Sequence, residues 1–383
     1  MGGREETKLR HVVILNWRDI KNPQGGGAEK LTHEIACRWI ERGHRVTLFC
    51  ASYPGAASKE TIDGVQVIRR GRQQTVHWEA YRYYKTHFQG QCDIIVDEIN
   101  TIPFFAPLYA HEPVVMFNNQ LAREVWRYEA PFPLSLMGYL LEPLYLQAYR
   151  RTPVMTISAS SEESLRQLGI PGPYQVIPMA VDTKALDVLP PMDSKESVFT
   201  LAFVGRVVPS KRVDHIIRAL ALLHHSGKLG LQHAQLWIIG SWDKEYRRSL
   251  DRLIVERGLM AYVTFWGRTD ESMKAQFLAR AHVFVMTSVR EGWGLVVTEA
   301  NMLGTPAVVY DVPGLRDSTR DGETGLVCHP NTPVALMRNI ASLQENSALY
   351  MLLREQAWRF AKGLNWDRTA QVAWQALEAA LSS

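Results

Sequence analysis

The 383-residue sequence has only four cysteines, Cys37, Cys50, Cys92 and Cys328, and no two of them stand in a Cys-x-x-Cys spacing. That argues against a cysteine-based zinc site and against a disulfide framework, and it predicts reduced thiols in a cytosolic protein. No Asp-x-Asp occurs, and no His, Asp or Glu cluster has metal-ligand spacing, so no divalent ion is called for. Long apolar runs are missing too: nothing approaches the ~20 residues of a membrane span. Val12–Leu15, before the chain turns polar at Asn16, is too short for the core of a signal peptide. Charge of one sign is not in excess. With 43 Lys and Arg against 39 Asp and Glu the net charge is +4, and without a clustered basic stripe nucleic acid is excluded as a partner. Two small basic groups, Arg69-Arg70-Gly71-Arg72 and Arg82-Tyr83-Tyr84-Lys85, read as solvated faces, with a basic face for an anionic cosubstrate or lipid head group as the open alternative. No repeat of 20–50 residues is visible.

What the chain does have is alternation. Short apolar runs and amphipathic segments follow one another from end to end, the pattern of βαβ units around mainly parallel sheets. Strands are predicted at Val12–Leu15, Val46–Cys50, Val65–Arg69, Ile94–Val96, Val114–Phe117, Val154–Ile157 and Gln175–Ile177. After a polar, proline-bearing stretch from Asp182 to Ser197 a second series runs through Thr200–Val204, Gln235–Ile239, Val263–Phe265, Val283–Met286 and Ala307–Tyr310. The chain is longer than one hydrophobic core usually supports, so the expected organisation is an α/β domain over 1–182, a second over 183–365, and a terminal helix over 366–383. Leu31, Ile35 and Trp39 mark a helix ending at Gly43, and Ser160-Ser161-Glu162-Glu163 has the spacing of a capping box. Phe132–Tyr149 carries Leu136, Tyr139, Leu140, Leu144 and Leu146 near helical spacing beside Arg150 and Arg151. It reads as a core-packing helix, with contact to a membrane surface as the open alternative.

Three glycine-bearing loops carry the chemistry. In Ser288-Val289-Arg290-Glu291-Gly292-Trp293-Gly294-Leu295-Val296-Val297-Thr298-Glu299, a buried strand leads into a helix, placing Glu291 in the loop and Glu299 about two turns into the helix. Gly292 and Gly294 remove Cβ where a ligand approaches backbone, and the helix N-terminus beyond them suits a pyrophosphate. Glu299, an acceptor only, suits a vicinal diol such as ribose. Gly205-Arg206 through Lys211 repeats the strand–glycine–helix arrangement with two cations. Asn22-Pro23-Gln24-Gly25-Gly26-Gly27-Ala28-Glu29-Lys30 joins the first strand to the first helix, but is neither a dinucleotide fingerprint nor a Walker loop.

These motifs, with Gly304-Thr305-Pro306 and Gly322-Glu323-Thr324-Gly325, resemble those of retaining glycosyltransferases of the GT-B fold, in particular family 4, the group 1 glycosyl transferases. The resemblance extends through most of the chain. It implies two Rossmann-like domains facing each other across a cleft, the first for the acceptor and the second for a nucleotide-sugar donor, with the last helix crossing back to the first domain. It also implies transfer of a sugar from a UDP- or GDP-linked donor to an acceptor hydroxyl, with no cofactor and no metal. Arg206 and Lys211 are matched to the leaving diphosphate, and Glu291 to the donor sugar. Gly205, Arg268, Gly292, Trp293, Gly294, Leu295, Val296 and Glu299 are matched to the nucleotide side. Gly26, Gly27, Glu29, Asn118 and Asn119 are matched to the cleft and acceptor side. Family members often carry a histidine where Asn119 stands. The acceptor, whether glycan, lipid-linked sugar or small molecule, is left open, and the expected location is the cytoplasm, at or near the inner face of the membrane. A sugar-nucleotide epimerase of the same architecture and a non-catalytic nucleotide-sugar-binding protein are the competing readings.

Overall fold

The computed structural model describes residues 8–181, 188–227 and 231–382. The chain forms two compact units. One comprises residues 1–122, 140–179 and 366–383, the other 123–139 and 180–365. The expected boundary at 182/183 lies outside the described residues. Segment 123–139, assigned from sequence to the first domain, groups instead with the second unit.

Unit 1 is built on an eight-stranded sheet of β1 (His11–Leu15), β2 (Arg45–Cys50), β3 (Lys59–Ile62), β4 (Val65–Arg69), β5 (Ile94–Ile99), β6 (Val114–Asn118), β7 (Val154–Thr156) and β8 (Tyr174–Val176). Its spatial order is β3-β4-β2-β1-β5-β6-β7-β8. Every neighbouring pair is parallel except β3 and β4. That hairpin turns through Asp63 and Gly64, both at positive φ, as a two-residue loop with right-handed strand twist requires. Helices α1 (Gly27–Glu41) and α2 (Val76–Tyr83) follow β1 and β4. Leu31, Ile35 and Trp39 of α1 are buried, and the Trp39 indole donates to the Ala370 carbonyl at 3.1 Å.

Unit 2 has a six-stranded, wholly parallel sheet. Its strands β9 (Thr200–Val204), β10 (Gln235–Ile239), β11 (Val263–Gly267), β12 (Val283–Met286), β13 (Ala307–Tyr310) and β14 (Gly325–Cys328) stand in the order β11-β10-β9-β12-β13-β14. β9, β12 and β13 are buried along their whole length, as strands covered by helices on both faces must be. The remaining helices, in chain order, are α3 (Trp126–Glu129), α4 (Leu134–Leu146), α5 (Ala159–Gln167), α6 (Val213–His225), α7 (Lys244–Glu256), α8 (Glu271–Arg280), α9 (Leu295–Met302), α10 (Leu315–Ser318), α11 (Pro333–Glu345), α12 (Ser347–Lys362) and α13 (Trp366–Leu381). The break between α12 and α13 falls at Gly363–Asn365, and α13 belongs to unit 1. There Trp374 stacks on His44, ring centroids 3.7 Å apart.

Four expectations change. The α5 cap is Ser158, whose hydroxyl accepts from the Ser161 N–H at 3.2 Å, two residues before the predicted one. Arg69 does not lie on a solvated face: its side chain is fully buried and grips both carboxylate oxygens of Asp19 at 2.7 and 2.9 Å, with Glu60 at 2.9 Å. On α4, Leu136, Leu140 and Leu144, read as core, are exposed, while Leu146 is buried. And among the described residues the fold assembles a group of potential metal ligands that no local spacing showed. His33 and Cys37, one turn apart on α1, meet Asp63 from the β3–β4 turn, with His33 Nε2 2.9 Å from Asp63 Oδ2. No described helix is long and apolar enough to cross a membrane.

Candidate functional site

In an open parallel sheet, ligands gather beyond the carboxyl ends of the strands where the strand order reverses. In unit 2 that point lies between β9 and β12, since β10 and β11 continue to one side of β9 and β13 and β14 to the other side of β12. The loop after β9 carries Gly205, Arg206 and Lys211; the loop after β12 carries Glu291.

These loops are shaped by close backbone approaches. A Cβ on Gly240 would meet the Gly205 carbonyl oxygen at 2.0 Å, so the close approach of the backbone beyond β9 and β10 requires glycine at 240. Gly314, after β13, is likewise forced: its φ is +83° and a Cβ would lie 2.4 Å from the Glu291 carbonyl oxygen. Gly294 is left-handed at φ +91° and caps α9. Glu291 thus stands in an extended loop, with its N–H donating to the Pro313 carbonyl at 3.1 Å. Glu299 is the fifth residue of α9, less deep in the helix than the two turns expected.

The side chains then pair. Lys211 Nζ contacts Glu291 Oε1, which also accepts from the Ser288 hydroxyl at 2.6 Å. Lys211 is positioned by its own loop, whose Lys211 and Arg212 carbonyls both accept from the Thr287 hydroxyl at 2.9 Å. Arg206 is 61% exposed and lies 3.5 Å from Glu129, which also accepts from Ser210 at 2.5 Å. Glu299 pairs with Lys274 of α8 at 2.8 Å. Burial works against the Lys274 charge, but Glu299 and Glu271 together hold its pKa above the usual ammonium value. Trp293 is half-buried with an indole N–H that has no acceptor among the described residues, Leu295 and Val296 open α9, and Arg268 is exposed just past β11. Sequence reasoning missed Ser288, Lys274 and Glu129. Ser288 stands three residues before Glu291 and could have been suspected; Lys274 and Glu129 come from other elements and left no local signal.

In unit 1 the order reverses between β1 and β5. The Gly25–Gly27 loop follows β1 and opens α1; the Gly26 N–H donates to Glu29 Oε2 at 2.7 Å, so Glu29 serves its own helix start. Beyond β5 and β6 lies a buried polar cluster. Glu98 accepts from Thr32 at 2.7 Å and from Asn119 Nδ2 at 2.5 Å, and Asn100 Nδ2 donates to Asn16 Oδ1 at 3.0 Å. Both polar atoms of the Asn118 side chain and Oδ1 of Asn119 are buried without a partner among the described residues. Buried amides left so are ready to bind a polar group such as a sugar hydroxyl. Burial, with Glu29 nearby, raises the Glu98 pKa to about 8, so at neutral pH it is mostly a carboxylic acid that can donate. The folded pKa lies above the unfolded one. The stability this group contributes is therefore present in full below about pH 4.3 and is lost as pH rises through 8. Glu98→Gln removes this dependence: between about pH 6.5 and 8 the variant's unfolding free energy should fall less steeply than the parent's, by roughly 1 kcal/mol per unit. Parallel slopes in urea titrations at the two pH values would refute it.

Comparison with known proteins bears on the family and the fold. The family described as Glycosyltransferase Family 4 matches residues 25–185, and the one described as Glycosyl transferases group 1 matches residues 191–360. A D-inositol 3-phosphate glycosyltransferase of Thermomonospora curvata is 31% identical over 174 residues, 45% of this chain and 40% of the relative. One of Streptomyces coelicolor is 29% identical over 184 residues, again 40% of its length. The matched part thus spans about two fifths of these curated relatives. Among solved structures, sucrose-phosphate synthase from Thermosynechococcus elongatus superposes with a TM-score of 0.79 at 20% identity, covering 97% of this chain and 99% of that one. Anabaena HepE in complex with UDP and glucose gives 0.74 at 18% identity, over 97% and 100%. Two parallel α/β sheets, each with its motif-bearing loops at the reversal of strand order, and a family match to each half identify the chain as a member of the group 1 glycosyl transferases with the GT-B fold.

Proposed function

We propose that the protein is a retaining, metal-independent glycosyltransferase that moves a hexose from a UDP- or GDP-linked donor to an acceptor hydroxyl in the cytoplasm. The observation that carries this reading is the Lys211–Glu291–Ser288 constellation at the strand-order reversal of unit 2, beside the N-terminus of α9. The relatives' names support it: one neighbouring structure holds UDP and glucose, another UDP-glucose. Charge developing on the departing diphosphate is met by Lys211, Arg206 and the N–H groups of α9, a preorganised electrostatic arrangement. The acceptor oxygen bonds to the anomeric carbon on the face from which the diphosphate leaves, and its proton passes to a diphosphate oxygen, so the configuration is kept. Glu291 aligns Lys211 before the donor arrives and then contacts the sugar. Glu299, set by Lys274, takes the ribose diol.

The experiment is nucleoside-diphosphate release from several nucleotide sugars against a panel of acceptor hydroxyls, run with and without EDTA. Release that depends on acceptor and survives the chelator is expected. Turnover abolished by EDTA and restored by magnesium would overturn metal independence, and epimerised donor without acceptor would overturn transfer. Calorimetry separates the two glutamates. Glu299→Gln should weaken nucleoside-diphosphate binding, because an amide N–H2 cannot accept from the ribose. Glu291→Gln should leave that affinity intact while lowering turnover of the full donor. Equal loss of product affinity in both variants would show that Glu291 is not at the sugar.

A further inference from the structure

β3 is an edge strand of the unit 1 sheet, hydrogen-bonded to β4. Its sequence, Lys59-Glu60-Thr61-Ile62, buries Ile62 alone, so little apolar area holds the hairpin in place. Polar side chains add the rest. On β3 itself Glu60 accepts from Arg69 at 2.9 Å. At the turn, where the hairpin meets α1, three chemically different groups converge: the His33 imidazole, the Cys37 thiol and the Asp63 carboxylate. His33 and Cys37 are four residues apart in α1 and so share a face. Asp63 is brought to them by the turn, in which it takes a left-handed φ of 48°.

The three meet at one atom. His33 Nε2 is 2.9 Å from Asp63 Oδ2 and 3.5 Å from Cys37 Sγ, and the three ligand atoms all lie within 4.8 Å of one another. That is not the geometry of a catalytic Cys–His–Asp relay, in which thiol and carboxylate take opposite ring nitrogens. Nor does one proton satisfy it. An Nε2–H that donates to Asp63 has no lone pair for the thiol, and an Nε2 that accepts from the thiol turns its lone pair toward a carboxylate. A cation at that point satisfies all three groups at once. Bonds of about 2.0–2.3 Å from a tetrahedral zinc to nitrogen, oxygen and sulfur place its ligand atoms about 3.3–3.7 Å apart, so the His33–Asp63 pair has to open by about half an ångström. The Asp63 side chain, 73% exposed, is free to make that move, and the fourth position faces solvent. A thiolate, an imidazole and a carboxylate together suit a borderline-soft divalent ion, not magnesium or calcium, which take oxygen ligands.

We propose that His33, Cys37 and Asp63 form a zinc-class metal site that ties the β3–β4 hairpin to α1. As the metal–sulfur bond forms, the thiol proton passes to solvent. The site's place in the fold makes it structural. The turn precedes β4, which runs parallel to β2 and β1, so it lies at the end of the sheet away from the Gly25–Gly27 loop. The proposal is independent of the sugar transfer, and its loss to a chelator reads out as stability that zinc restores, not as turnover that magnesium restores. In the test the full chain, freed of metal with EDTA and kept reduced with a phosphine, is titrated with zinc by calorimetry and with cobalt by absorption spectroscopy. A single zinc per chain with a Kd of micromolar order or tighter is expected. Cobalt should develop a thiolate-to-metal charge-transfer band, and saturating zinc should raise the melting temperature by about 5 °C. Cys37→Ser should lose the band, and Cys37→Ser and Asp63→Asn should each weaken zinc more than about tenfold. Asparagine keeps the left-handed turn, and the melting curve of each metal-free variant checks its fold. A parent protein without saturable zinc uptake overturns the proposal. So does a charge-transfer band that persists in Cys37→Ser, or a zinc affinity that both variants keep.

Discussion

Lys211→Ala is expected to lower the turnover of donor at saturation by about 2–4 kcal/mol in barrier height, roughly thirty- to a thousandfold. The reason is position. Lys211 is held by the loop after β9, whose carbonyls Thr287 ties down, and it meets Glu291 from the loop after β12. An ammonium fixed before the reaction needs no reorganisation when the diphosphate begins to leave, and its loss is felt in the transition state more than in donor binding. Ser288 continues to hold Glu291 in the variant, so folding should change little. Arg206→Ala acts in the same direction on the same step. A Lys211→Ala protein with the parent's turnover at saturating donor would remove this lysine from the chemistry.

Arg69→Met should cost about 3–5 kcal/mol of folding stability, the usual effect of breaking a buried ion pair from one side. Asp19 would remain fully buried, deprived of two charge-assisted hydrogen bonds and left with the Lys21 N–H at 2.9 Å and the weak Cys50 thiol. Burial alone would raise the Asp19 pKa; Arg69 reverses this and holds it below the usual carboxylate range. That carboxylate anchors the loop running from β1 to Gly25–Gly27, so the damage should reach the helix start as well as the melting temperature. Asp19→Asn in the Arg69→Met background should recover part of the loss by removing the orphaned charge. Chemical denaturation of the three proteins measures it; an Arg69→Met midpoint within error of the parent's would refute the account.

The two sheets were readable because apolar runs covered by helices on both sides are continuous in sequence. β3 was not, since Lys59-Glu60-Thr61-Ile62 has no apolar run and pairs through the Asp63-Gly64 turn; that dipeptide was the available signal. β14 begins at a glycine, directly after the Gly322-Glu323-Thr324 stretch, and its apolar run is only Leu326–Cys328, one residue shorter than those of β12 and β13. In the site, Glu291, Gly294 and Glu299 sit in one local strand–loop–helix unit, and local spacing places them. The pairs that tune them join distant positions: Lys274 with Glu299, and Glu129 with Ser210 across 81 residues. Arg69 shows the same limit. Beside Arg70 and Arg72 it looks like surface charge, and only the fold brings Asp19, fifty residues earlier, against it. The leucines of α4 misled in the opposite way, because periodicity reports that a face is apolar, not what lies opposite it.

The packing of α13 on α1 has a bearing on synthesis. Trp39 and His44, made early, find their partners in Ala370 and Trp374 about 330 residues later. As the chain leaves the ribosome, unit 2 can complete its sheet while the amino-terminal half still exposes the Trp39 indole and the His44 ring that α13 later covers. Such long-separated contacts slow folding and lengthen the time for which that surface is open to other nascent chains. The half translated first is the one finished last, which makes it the natural client of a chaperone.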